Sequence, residues 1–500
     1  MDVVTSAMPL YAILISLVTV GLVLARPQKP VFREFCTVAS AIVKLLIVLS
    51  MLPWIRQGAI IKYHLLTVLP GLEIALRVDA LGMVFALTAS FLWLATSFYT
   101  IGYMRSHYEE DYANDRSVDR FFAFFLIAMA SAIGTAFAGN LFTLYIFYEI
   151  LTLCTYPLVA YDKTPEALYN AQKYLAHLLG TSLLFFLPAI FLTYYYTGTL
   201  DFSTSGIMSG NAPDSVLAIT FILFIAGIAK AALMPFHAWL PAAMVAPTPV
   251  SALLHAVAVV KAGVFTFIRV ILFIFGADLL KELNPGYYLA YFAAFTIIAA
   301  SLIALRQDNL KRRLAYSTIS QLSYTILGVA LLTPSGVTGS VLHLVIHAFG
   351  KITLFFAAGA IYIVTGKTEI SQMDGIGKQM PFTMAAFTIA SLSMISLPPA
   401  GGFISKWYLS MGTIEAGQLA LLAVLAISSL LNAAYFLPIV YRAFLKPTLA
   451  ANGQQVNIAK IKEAPVFMVG ALMVTSAAIL CFFFEPGVFL DLARMIVAAM

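Results

Sequence analysis

Fourteen apolar runs of about 20 residues, beginning near positions 5, 35, 79, 119, 140, 166, 214, 248, 286, 312, 338, 381, 418 and 464, leave this chain few ways to fold. A helix of about 20 residues crosses the ~30 Å hydrocarbon core of a bilayer, whereas a spanning strand needs only about ten. Inside lipid every backbone N–H and C=O must be bonded internally, so runs this long are helices. With 61% hydrophobic and 10% charged residues, the 500-residue chain carries more apolar side chain than a soluble core hides. The expectation is an all-α polytopic membrane protein of about 14 transmembrane helices. Its first run, "SAMPLYAILISLVTVGLVLA", has no basic flank ahead of it and is followed by "RPQKP", so it reads as a retained span.

Charge supplies the orientation. Sorting the connections alternately puts 17 Lys and Arg on one side, from Arg26 to Lys462 and including Lys460, against Arg56, Lys62, Arg77 and Lys281 on the other. That bias predicts a plasma-membrane protein with the first side cytoplasmic and both termini outside. The formal charge of +6 is spread over short connections and forms no patch, which excludes nucleic acid as a partner. Cys36, Cys154 and Cys481 form no CxxC, and no zinc or haem ligand set stands out, so no cofactor and no metal are expected.

A short internal repeat appears when "HLLGTSLLFF" from His177 is laid on "HAFGKITLFF" from His347, an offset of 170 residues that also sets Lys173 on His343. Five spans separate the two copies, so the second is inverted in the membrane, as in many transporters. Each half holds an interrupted span beside a lysine. Lys230 precedes Pro235 in "FIAGIAKAALMPFHAW", and Pro398, Pro399, Gly401 and Gly402 precede Lys406 in "SLPPAGGFISKW". Broken helices are tolerated at membrane depth only beside protein or a water-filled cavity, so the breaks mark the conduction path.

An unpaired charge at the bilayer centre costs at least about 2.5 kcal/mol, so each one needs a reason. The spans hold Lys44, Glu149, Lys173, His177, Lys230, His255, Lys261, His343, His347, Lys351 and Lys406. His343, His347 and Lys351 stand at i, i+4 and i+8, a ladder on one helix face with steps of about 6 Å, suited to bridging water between protonatable groups. Glu149, the clearest carboxylate in mid-span, is the natural partner of Lys230, and a change of pairing would let that lysine release its proton. His255 and Lys261 continue the polar line along the eighth span. His237 reads as a cap at the membrane edge, and Lys44, on the peripheral second span, as a snorkelling side chain. Buried histidines satisfied by carbonyls, and a static Glu149–Lys230 ion pair, are the plain alternatives. A non-transporting scaffold has little use for so many buried ionisable groups, and nothing in the chain is specific to an organic solute.

The stretches "FIAGIAKAALMPFHAWLPAAMVAPTPVSALLHA", "DNLKRRLAYSTISQLSY", "HLVIHAFGKITLFFAAGAI" and "LPPAGGFISKW" resemble the proton-conducting antiporter-like family, over about residues 70 to 445. Its members are the L, M and N subunits of respiratory complex I, the A- and D-type subunits of Mrp cation/proton antiporters, and membrane-bound hydrogenase counterparts. The resemblance implies two inverted five-helix repeats and broken helices 7 and 12. It divides the chain into helices 1–3 over residues 1–118, repeats over 119–275 and 286–446, and helix 14 within 447–500. It implies that Glu149, Lys230, Lys261, His347 and Lys406 match the family's ionisable positions, with His255, His343 and Lys351 alongside. It also implies membrane subunits as partners and protons, with sodium as a second candidate, as cargo. The D-type of Mrp antiporter is the expected branch, and an N- or L-like complex I subunit or a hydrogenase subunit the alternative. Ala242 stands where the family often has an acid in "HxWLPDAM".

Overall fold

The computed structural model describes residues 2–69, 72–109, 112–113, 115–283, 285–447 and 461–500, so that Lys460 lies outside the described residues. Among these, eleven helices are long and apolar enough to cross a membrane: Met8–Ala25, Pro30–Arg56, Ala80–His107, Arg116–Ala136, Leu141–Val159, Pro165–Thr197, Thr248–Phe275, Gly286–Leu305, Pro334–Thr365, Leu419–Phe444 and Val466–Phe484. Three more complete the fourteen spans. The tenth, Leu310–Ala330, is a continuous helix whose basic start and Ser, Thr and Gln content dilute its hydropathy. The seventh runs Asp214–Gly227, then the single turn Ala229–Ala231 and the short helix Trp239–Ala242. The twelfth is Pro381–Ile395 followed by Gly402–Glu415. Every span begins within five residues of its expected start.

Both breaks stand where proline and lysine placed them, and each contains a non-glycine residue in the left-handed region, Ala232 at φ 54° and Ser396 at φ 74°. Such residues cost about 1–3 kcal/mol each and persist only where their surroundings hold them. Here glycines do the holding. A Cβ on Gly263 of the eighth span would stand 2.9 Å from the Cα of Ala231, so only glycine lets the Lys230 turn lie on that helix. Gly402 likewise packs against the Ser393 carbonyl across the second break.

The eighth and eleventh spans are enclosed along their whole apolar lengths, whereas the first and second each show a broad outward apolar face. Side-chain caps begin several spans: Asp79 Oδ1 accepts from Gly82 N at 2.9 Å, Asn140 Oδ1 from Thr143 N at 2.8 Å, and Asn309 Oδ1 from Arg312 N at 3.1 Å. Arg33 on the second span pairs with Asp119 on the fourth at 2.5 Å, both fully buried. Tyr112, in the connection between the third and fourth spans, donates to Glu34 at 2.5 Å, and burial followed by that carboxylate pushes its hydroxyl up to about 12.

One element was absent from the helical expectation. Val3–Thr5 (β1), Ile60–Leu69 (β2) and Leu72–Val78 (β3) form a small sheet, β1 parallel and β3 antiparallel to β2, with Ile61 opposite Val78. The segment "IIKYHLLTVL" lies between spans and pairs as a strand because its β-branched and aromatic residues suit a half-buried pleat. The last segment, expected as one helix, holds two. The short helix Gly487–Ala498 follows the fourteenth span and returns Asp491 to Arg56 at 3.0 Å. Strand and helix bring the two termini to one face of the molecule.

Candidate functional site

The expected ionisable residues come together in the middle of the bundle, and the links between them are mostly hydroxyls from facing helices. Lys230 is fully buried in its one-turn helix, where its Nζ donates to the Tyr148 carbonyl at 2.5 Å and stands 3.1 Å from the centre of the Tyr148 ring. Glu149 follows Tyr148, yet no ion pair joins it to Lys230, and both carboxylate oxygens are buried with no partner among the described residues. The expected Glu149–Lys230 pair is therefore open here. The broken helix presents the lysine to a backbone carbonyl, one residue short of the acid.

Lys261, on the eighth span, reaches across to the eleventh, donating to the Leu344 carbonyl at 2.8 Å and lying 2.7 Å from His347 Nδ1. An ammonium has only hydrogens to offer, so His347 Nδ1 accepts and its Nε2 carries the ring hydrogen. His343 turns to the twelfth span, where its Nδ1 lies 3.0 Å from Ser405 Oγ, a hydroxyl also 3.2 Å from the Gly402 carbonyl. The His343 and His347 ring centres are 6.0 Å apart. This is the step expected from helical spacing, and ring nitrogens at that separation suit one bridging water. Both Nε2 atoms are buried without a partner among the described residues.

His255 and Lys351 meet on the tenth span. His255 Nδ1 is 3.1 Å from Thr318 Oγ1, which donates to the Leu314 carbonyl at 2.9 Å, and Lys351 Nζ donates to the same carbonyl at 3.2 Å and to Ser317 Oγ at 2.7 Å. Tyr435 continues the chain, donating to Asn432 Oδ1 and accepting from Ser317 Oγ at 3.1 Å. At the far end Lys406 donates to Ser429 at 2.9 Å and lies 4.7 Å from the Tyr324 ring centre. Lys230, His255, Lys261, His347 and Lys351 are 1% or less exposed, His343 2% and Lys406 7%, so the line lies inside protein along its length.

Several positions differ from the sequence reading. Lys44 does not snorkel. Its side chain is fully buried, donates to Ser16 and stands 5.8 Å from the Trp93 ring centre, because the first and third spans close over it. His177 and Lys173 are not enclosed, His177 Nδ1 sitting 3.1 Å from the Lys173 carbonyl, so the likeness of His177 to His347 is one of sequence and not of surroundings. His237, expected as a cap, is half-buried with its Nδ1 3.2 Å from the Pro235 carbonyl, and the helix that begins at Trp239 has no side-chain cap. Sequence reasoning missed Tyr148, Ser317, Thr318, Ser405 and Ser429, whose signal was hydroxyl-bearing residues inside apolar runs. It also missed Arg269, which closes a two-point ion pair on Asp79 with both contacts at 2.6 Å.

Residues 138–432 match the protein family described as NADH:quinone oxidoreductase/Mrp antiporter, TM. The chain is 34% identical to NADH-quinone oxidoreductase subunit N of Desulforudis audaxviator over 450 residues, 88% of this chain and 87% of that one. It is 33% identical to NAD(P)H-quinone oxidoreductase chain 5 of Picosynechococcus over 67% of this chain, a region that spans half of that longer relative. Among solved structures, a chain of the Mrp complex from Dietzia sp. superposes with a TM-score of 0.87 at 22% identity, covering 98% of this chain and 96% of its own. A chain of the membrane-bound sulfane sulfur reductase, an archaeal respiratory membrane complex, does so with 0.84 at 26% identity, over 99% and 98%. The fourteen spans, the two breaks and these matches agree: the chain is a multi-pass, antiporter-like membrane subunit and belongs to the NADH:quinone oxidoreductase/Mrp antiporter family.

Proposed function

We propose that this chain is a proton-translocating, N-like subunit of a redox-driven membrane complex. The single observation that carries the reading is the buried line from Lys230, with the half-buried Glu149 beside it, through Lys261, His347 and His343, with Lys351 and His255 alongside, to Lys406. Lys261 lies 2.7 Å from His347 Nδ1 and the His347 and His343 ring centres are 6.0 Å apart, so a proton can pass between these groups directly or through one water. The N-like branch is favoured over the D-type of Mrp antiporter because the relative named subunit N shares 34% of residues over most of both chains. The Mrp likeness, at 22%, is one of fold.

On this reading the energy comes from partner subunits, the cargo is the proton, and the positive-inside bias sets the basic connections towards the cytoplasm with both termini outside. The test is redox-driven acidification of inside-out vesicles containing the whole complex. Lys406→Ala should abolish this chain's share of the flux with the complex still assembled, and full flux would overturn the pathway. Sodium-dependent flux without redox turnover would favour the Mrp-type alternative.

A further inference from the structure

The break in the twelfth span leaves one carbonyl without its helical partner, and the thirteenth span helps to fill the gap. Met394 would accept from the N–H of the residue four places on, but that residue is Pro398, which has none. Its oxygen accepts instead from two side-chain amides, Asn432 Nδ2 at 3.1 Å on the thirteenth span and Gln321 Nε2 at 3.3 Å on the tenth. A carbonyl only accepts, so Asn432 faces it with its nitrogen and leaves its Oδ1 for the Tyr435 hydroxyl.

From that end the direction of each hydrogen bond follows. Tyr435 spends its single hydroxyl hydrogen on Asn432 Oδ1, so the 3.1 Å contact runs from Ser317 to Tyr435, and Ser317 turns a lone pair to Lys351 Nζ at 2.7 Å. The hydrogens run one way, from the Lys351 ammonium to the break, through side chains that are all fully buried. A charge on Lys351 favours this direction, because a bond from an ammonium is about twice as strong as a neutral one and bonds in a chain polarise each other. A neutral Lys351 has a lone pair. Ser317 can then turn its hydrogen back to Nζ, Tyr435 its own to Ser317, and Asn432 Oδ1 is left without a donor, with no net movement of protons. One turn before Asn432, on the same helix face, Ser429 accepts from Lys406 at 2.9 Å. The thirteenth span thus holds the first half of the broken span through Asn432 and the second through Ser429.

We propose that Asn432 and Tyr435 are positioning residues that carry the charge state of Lys351 to the break in the twelfth span and so set where Lys406 stands. One buried lysine governs another with no proton passing between them. The proposal rests on the proton-translocation reading, so its test includes a readout that does not depend on transport.

The test takes the whole complex and follows redox-driven flux together with hydrogen exchange at the backbone amides of residues 393–405. Tyr435→Phe keeps the ring and removes the hydroxyl, and should speed exchange across the break and lower flux, each by roughly tenfold. Lys351→Met should speed the same exchange. Substitutions that act through one chain do not add, so the double variant should exchange no faster than Tyr435→Phe alone. Rates that multiply in the double variant, or an unchanged break in either single variant, would overturn the coupling and leave the function standing. Ser317→Ala cuts the chain from the tenth span and should reproduce Tyr435→Phe even where that variant fails to assemble, whereas Ser317→Thr keeps the hydroxyl and should restore both readouts. Equal behaviour of the two Ser317 variants would overturn the coupling as well. The expected exchange pattern in a complex that moves no protons would overturn the function and leave the coupling as a link between two buried lysines.

Discussion

Gly263→Ala is a small change with a large expected effect. The added methyl would stand 2.9 Å from Ala231 Cα, and nearer still to the Ala231 nitrogen and the Lys230 carbonyl carbon. An ordinary carbon–carbon contact needs about 3.5–4 Å, so the Lys230 turn must retreat by roughly 1 Å. The Nζ–Tyr148 hydrogen bond, at 2.5 Å, would then stretch to about 3.5 Å, beyond the ~3.2 Å range of such bonds. Overpacking costs about 1–3 kcal/mol and the gain from removing a helical glycine is roughly 0.5–1 kcal/mol, so net destabilisation is about 0–2.5 kcal/mol, a lowering of the melting temperature that leaves assembly intact. Flux should fall further than stability, by roughly tenfold or more, since misplacing a reacting group by about 1 Å can cost on the order of a hundredfold. The assay compares redox-driven acidification per assembled complex with the melting temperature of the purified complex. Gly180→Ala serves as control, because a Cβ there meets nothing within 4 Å. Wild-type flux and melting in Gly263→Ala would refute the packing of the turn and its link to transport.

Glu149→Gln keeps shape but removes charge, and should stop flux nearly as completely as Glu149→Ala, with Glu149→Asp retaining part. Wild-type flux in Glu149→Gln would make the acid a passive neighbour of Lys230. The raised Tyr112 hydroxyl contributes stability that is fully present below its unfolded value near 10 and is lost as pH rises towards about 12, worth about 2–3 kcal/mol. Melting curves between those pH values should flatten in Tyr112→Phe, and an unchanged slope would assign the loss to another group. Lys44→Met should leave flux unchanged and hold or raise the melting temperature, because a buried amine with one hydroxyl partner gains little from its charge. Loss of flux would place Lys44 on a conduction route.

The spans were legible because lipid imposes one requirement on all fourteen, a helix about 20 residues long, and a run of apolar residues records it directly. The breaks were legible through Pro235 and the Pro398–Gly402 cluster, since proline and glycine act on their own backbone. Pairing across helices was less so. His343 and His347 share a helix, and their spacing followed from its geometry. Thr318, Ser405 and Ser429 come from neighbours whose rotation no local pattern records. Lys44 misled for the same reason, as its burial depends on Ser16 and Trp93 of other spans. The sheet went unseen because Val3–Thr5 finds its partner some 57 residues away.

The eleventh span runs 32 residues from Pro334 to Thr365 without interruption, about 48 Å at 1.5 Å per residue. It works as a ruler for the helices packed against it. His343, His347, Lys351, Phe355 and Tyr362 are marks on one continuous scale whose spacings the helix sets. The hydroxyls and lysines brought up to those marks come from the eighth span at His347, the tenth at Lys351 and the twelfth at His343. A proton's progress is then set by which neighbour is docked at which mark, and a cross-link that fixes the broken twelfth span to the eleventh should freeze that progress while leaving the marks untouched.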